Sequence, residues 1–89
     1  MRAVITVIGK DMVGILAQVS AICAKNGVNV VEVTQSILQD LFAMIMMVDI
    51  SKCAIPFQSL VDELTQVGEN MGLTIHVMHE DIFNSMHRI

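Results

Sequence analysis

The chain has 89 residues, with five basic against nine acidic side chains for a net charge of −4, and 54% of its residues are hydrophobic. That balance argues against a general nucleic-acid binder, which needs a basic face to displace counterions. The only aromatics, Phe42, Phe57 and Phe83, are too few and too scattered for a base-stacking platform. A single domain of this length buries only about 60–65% of the surface its unfolded form exposes. So apolar a composition therefore predicts that some apolar surface meets another subunit.

The elements follow one another without linkers, low-complexity segments or charge blocks. Residues 2–8, RAVITVI, are rich in β-branched types and end at Gly9, which predicts a strand. In residues 12–26 the apolar side chains Ile15, Leu16, Val19, Ile22 and Cys23 fall on one helical face, with Asp11 as the expected N-cap. Gly27 closes that helix at a left-handed position. Residues 28–38, VNVVEVTQSIL, and 41–50, LFAMIMMVDI, predict two strands joined by a short turn at 39–40. Pro56 suits the first turn of a second helix. Its inner face is Phe57, Leu60, Val61, Leu64, Val67 and Met71, and Gly72 ends it. Residues 73–79, LTIHVMH, predict a last strand, and the tail EDIFNSMHRI a short helical turn.

The order β-α-β-β-α-β predicts an α+β, ferredoxin-like fold: a four-stranded antiparallel sheet with two helices on one face. Right-handed crossovers put the first and third strands in the middle. The third strand is apolar on both faces, with Phe42, Met44, Met46 and Val48 on one and Ala43, Ile45 and Met47 on the other. The second face or a sheet edge is therefore expected to be covered by a partner subunit. About 800 Å² per partner would be an ordinary interface. No apolar stretch reaches membrane-spanning length. The opening MRAVITVIGKD reads as a strand rather than a signal peptide, so the expected compartment is the cytoplasm.

The join between the first strand and helix, GKDMVG at 9–14, is the natural place for a ligand. Its G-x-x-x-x-G spacing matches the start of a P-loop, but Ile15 and Leu16 follow where Lys and Ser/Thr are needed to hold a phosphate and its magnesium ion. It carries no cysteine pair for a metal-chaperone site. The arginines, Arg2 and Arg88, sit at the chain ends, away from a phosphate-cradling position. What remains is a loop whose backbone N–H groups, at a helix N-terminus, suit a carboxylate. Lys10 adds positive charge there. Asp11 can cap the helix or accept from an ammonium group, so an amino acid zwitterion satisfies both kinds of group.

The stretch ITVIGKDMVGILAQVSAICAKNGVNVVEVTQS resembles the opening half of an ACT domain. The family signature D-x-x-G-[IL]-L reads here Asp11, Met12, Val13, Gly14, Ile15, Leu16, and the residues that open the second strand read Gly27, Val28, Asn29, Val30. Val13 stands where the family often has proline. The resemblance extends by element order over residues 1–89, as one ACT domain similar to the small stand-alone members of bacteria and archaea. It implies a regulatory module that senses a small ligand, most often an amino acid, at a homodimer interface and signals through a partner protein. It also implies contacts from Gly9, Lys10, Asp11, Met12, Val13 and Gly14 of one chain and Asn29 of the other. The alternative is a ligand-free ACT-like dimer acting as a protein–protein interaction module.

Each of these residues also has a plainer reading. On that reading Asp11 serves only as a cap, Gly14 only in close helix–strand packing, and Asn29 only in a turn hydrogen bond. His76 and His79, three apart on a strand, point to opposite faces and so do not form a metal pair; His87 lies in the tail. The eight methionines read as pliable packing rather than copper ligands. Cys23 reads as a buried reduced thiol, and Cys53 forms no C-x-x-C with it. Glu32 and Asp49 are expected to be solvated or salt-bridged. No spacing suggests a Ser-His-Asp or Cys-His set. The chain is read as a binding module with no cofactor, no metal, no nucleic acid and no membrane partner, rather than an enzyme.

Overall fold

The computed structural model describes residues 1–10 and 14–86, Leu38 through its backbone alone. The elements are β1 (Arg2–Lys10), α1 (Ile15–Lys25), β2 (Asn29–Leu38), β3 (Leu41–Asp49), α2 (Phe57–Met71), β4 (Thr74–His79) and α3 (Glu80–Met86). The strands form one antiparallel sheet in the order β2-β3-β1-β4. The apolar, β-branched β1 and the methionine-rich β3 lie in the middle, where both neighbours satisfy their backbone groups. This is the ferredoxin-like arrangement that the element order predicts.

One face of the sheet is built from Ala3, Ile5 and Val7 of β1 and Phe42, Met44, Met46 and Val48 of β3, all buried. Ile15, Val19 and Cys23 of α1 and Leu60 and Leu64 of α2 pack onto it in a single core. Burying each large side chain contributes roughly 1.5–3 kcal/mol. The helices present their i, i+4, i+8 positions to the sheet. Leu16, expected on the inner stripe of α1, lies at its flank and is 39% exposed.

Three boundaries differ from the sequence reading. β1 continues through Gly9 and Lys10, which pair with Phe42 and Leu41. α1 begins only at Ile15, because Gly14 sits in the left-handed region at φ 86° and interrupts any helical run before it. Gly14 therefore occupies the N-cap position that was expected of Asp11, and Asp11 itself lies outside the described residues. The tail forms a two-turn helix, α3, which is a third helix beyond the two expected and lies on the opposite face of the sheet.

The end of α1 is braced by Asn26, the buried polar residue among those described, at 4% exposure. Its side-chain amide donates to the Ile22 carbonyl at 3.0 Å and to Glu63 of α2 at 3.2 Å. Its carbonyl accepts from the Ala54 N–H at 2.8 Å. Lys25 pairs with the same Glu63 at 2.8 Å. The hydrogen bond from Lys25 is the largest influence on the Glu63 carboxyl; burial opposes it, and the Lys25 charge and the bond from Asn26 add to it, so that the carboxyl is held below its ordinary range. Gly27 follows at φ 74°, and a Cβ there would lie 2.8 Å from the Lys52 carbonyl oxygen.

Gly27→Ala is expected to destabilise the fold by about 1–2 kcal/mol, from left-handed strain alone, with the Lys52 contact adding to it; the urea midpoint measures this. A carboxyl lowered on folding stabilises fully above its unfolded pKa and loses that contribution as pH falls through the folded value. The stability difference between the wild type and Glu63→Gln should therefore narrow as pH drops below 4.5, the ordinary value for this group. Urea titrations at pH 7 and pH 3 read it directly.

Candidate functional site

The turn after β1 and the start of β2 are the two places the sequence marks for a ligand. Gly9 lies on the helix-facing side of β1, where a Cβ would collide with the Leu73 side chain. Its small size is thus explained by packing. Lys10 is exposed and, by strand alternation, shares the other face with Leu41, its cross-strand partner. Asp11, Met12 and Val13 lie outside the described residues. A Cβ on Gly14 would meet nothing within 4 Å. Close packing therefore does not explain this glycine among the described residues, whereas its positive φ does. Among the described residues, the first turn of α1 has no acidic side chain and its N-cap Gly14 makes no side-chain hydrogen bond, so none of them compensates the positive end of the helix.

Asn29 lies at the other end of the sheet. It pairs with Asp49, whereas Lys10 pairs with Leu41. Eight residue steps along β3, at roughly 3.4 Å each, put these ends about 27 Å apart. One chain therefore does not bring Gly9, Lys10 and Gly14 together with Asn29.

Four residues that the sequence reading left out of the site surround Asn29. Gly27, Asn29, Asp49, Ser51 and Lys52 line an open cavity of about 220 Å³. Asp49 Oδ1 accepts from the Ser51 N–H at 2.8 Å, and the Met1 α-amine stands 4.0 Å away while donating to Ser51 Oγ at 2.9 Å. The hydrogen bonding of Ser51, more than the nearby amine and Arg2, lowers the Asp49 pKa. A carboxylate, an ammonium and an amide thus converge at this end. The register hides them from a count along the chain. Running back from the Leu38–Leu41 pair would set Asn29 opposite Ile50, but a bulge at Val31 shifts the ladder by one residue. Val30 is thereby turned into the core beside Val48, and Asn29 is set opposite Asp49.

The histidines divide as strand alternation predicts. His76 pairs with Thr6 on the face away from α1 and α2. His79 pairs with Ala3 and stacks on Phe57 at the start of α2, with ring centroids 4.2 Å apart and planes at 19°. No group of three or more His, Cys, Asp or Glu residues among those described is arranged to hold a metal ion; His87 lies outside them. Cys23 and Cys53 are free thiols. Burial, and secondarily the neighbouring Cys53, pushes the Cys23 thiol up to about 11. No helix among the described residues is long and apolar enough to cross a membrane.

Residues 2–78 match the family model described as the ACT domain. The chain belongs to the ACT domain family. ACT domains are typically regulatory ligand-binding modules rather than catalysts. A UPF0237 protein of Methanocaldococcus jannaschii is 48% identical over 88 residues, covering 99% of this chain and 98% of that one. A UPF0237 protein of Clostridium acetobutylicum is 45% identical over the full length of both. Among solved structures, an ACT domain protein from Streptococcus pneumoniae superposes with a TM-score of 0.80 at 35% identity, covering 93% of each chain. The ACT fold thus holds over the whole sheet and both core helices.

The thiols give this part of the structure a direct check. At pH 8 a thiol with a pKa of about 11 is ionised in only about one molecule in a thousand. Iodoacetamide should therefore modify the half-buried Cys53 in the native ACT domain and leave Cys23 unmodified until denaturant is added. Peptide mass spectrometry separates the two.

Proposed function

We propose that this ACT domain, taken as residues 1–89, is a cytoplasmic regulatory module that binds an amino acid across a homodimer interface and signals through a partner protein. The carrying observation is the separation of the two half-sites. Lys10 and the open, positive end of α1 lie at one end of the sheet, and Asn29 with Asp49 at the other. β2 is an edge strand that pairs only with β3 among the described residues. Pairing it antiparallel with a second β2 about a two-fold axis reverses its direction. The partner's Asn29 then lies beside the Leu38 end, next to this chain's own turn.

The chemistry fits a zwitterion. A ligand carboxylate takes the helix N-terminus and Lys10, and its ammonium group takes amide and carboxylate oxygens. Met12 and Val13 complete the expected contact set, with Gly9, Asp11 and Gly14. A ligand held by both chains favours the dimer arrangement that fits it, and shifts that equilibrium by its differential affinity. The free thiols accord with a reducing compartment.

A thermal-shift screen against the twenty amino acids tests the reading. A ligand at about 100 times its dissociation constant adds roughly 2.7 kcal/mol, which raises Tm by about 10 °C or more in a domain of this size. The expected outcome is a selective shift that is lost in a folded Gly14→Val variant. A flat screen, or a shift retained in Gly14→Val, would favour the ligand-free interaction module instead.

A further inference from the structure

The face of the sheet away from α1 and α2 contains a second candidate site. α3 crosses one part of this face and is tied down by a two-pronged pairing of Arg2 with Glu80, at 2.6 Å from Nη2 and 3.2 Å from Nε. Val4, which points to this face, is fully buried. Beside it a cavity of about 300 Å³ opens between the sheet and the helix. Ile8, Ile45 and Met78 form its floor, and Phe83 and Met86 of α3 form a wall. Ile8 and Ile45 remain 45% and 43% exposed.

We propose that this cavity is a binding site for a small aliphatic carboxylic acid, independent of the turn site. Among the described residues, its only polar side chains are those of Thr6 and His76. They are direct cross-strand partners on the same face, so a hydroxyl and an imidazole N–H sit side by side at one point of an otherwise apolar wall. One compact acceptor group can engage both. No carboxylate lines the cavity among the described residues, so the ammonium group of an amino acid would be desolvated without a partner.

A purely apolar occupant would leave Thr6 and His76 dry and unsatisfied. The flat face of a second sheet would leave the concavity void and forfeit its packing contacts. The volume sets the size. At roughly 30 Å³ per non-hydrogen atom, the share of one water in the liquid, 300 Å³ holds about ten atoms. That is the size of octanoate. The methionines Met78 and Met86 give the wall the adaptability that a flexible chain needs.

The test is a titration of the isotope-labelled protein with sodium octanoate, followed by NMR, with octylamine and octanol as matched probes. Octanoate should saturate one site per chain, shift the signals of Thr6, Ile8, Ile45 and His76, and bind at least tenfold more tightly than octylamine. His76→Ala, at an exposed position, should weaken octanoate at least tenfold and octanol by a smaller factor, and Ile45→Glu should abolish octanoate binding. The proposal is overturned if octanoate does not saturate, if octylamine binds equally well, or if His76→Ala leaves octanoate affinity intact. It is also overturned if these residues are silent because a second copy of the chain covers them.

Discussion

The architecture follows from one constraint: its central strand is apolar on both faces. β3 alternates Phe42, Met44, Met46 and Val48 against Ala43, Ile45 and Met47, so both rows need apolar neighbours. The first row receives α1 and α2 and is almost wholly dry. The second row is served only in part, because α3 is short and packs chiefly against β1 and β4. The core is therefore complete on one side and open on the other. The remaining apolar residues, Ile8 and Ile45, surround a cavity instead of a packed layer.

Asn26 carries this asymmetry into the functional ends of the sheet. A buried amide is costly unless satisfied, and its partners come from α1, the loop before α2, and α2 itself. The bracing therefore joins the two helices at the end where β2 begins. It fixes the direction in which the chain leaves Gly27, and so the place of Asn29. At the opposite end no described residue braces α1 in this way: Gly14 turns the chain without a side-chain cap from among them. One end of the helix is thus satisfied by its own protein, while at the other no described side chain caps the first turn.

Most of the fold was legible in the sequence, because the strands alternate, the helices repeat their apolar positions at 3.6 residues, and Gly27 and Gly72 end them. The element order then left one natural sheet topology. The start of α1 was misplaced because Asp11 is a good cap by type, whereas the left-handed backbone at Gly14 is a matter of conformation that composition does not display. The second helical turn of the tail was missed because a seven-residue helix is stabilised by what it covers, here Val4, rather than by its own pattern. The Asp49, Ser51 and Lys52 surroundings of Asn29 were hidden by the Val31 bulge, since a one-residue slip changes every pairing beyond it.

That bulge also bears on how the molecule avoids unlimited self-association. β2 presents ten residues of free edge among the described residues, long enough to template the addition of strand after strand. The extra residue at Val31 breaks this edge near its start, leaving the regular stretch from Glu32 to Leu38. At the opposite margin β4 has only six residues. The two margins differ in length, so head-to-tail stacking of one on the other is poorly matched. Pairing of the long margin with its own twin consumes both copies and leaves only short ends outward. In the dimer proposed above, this geometry would close the pair rather than extend a fibre.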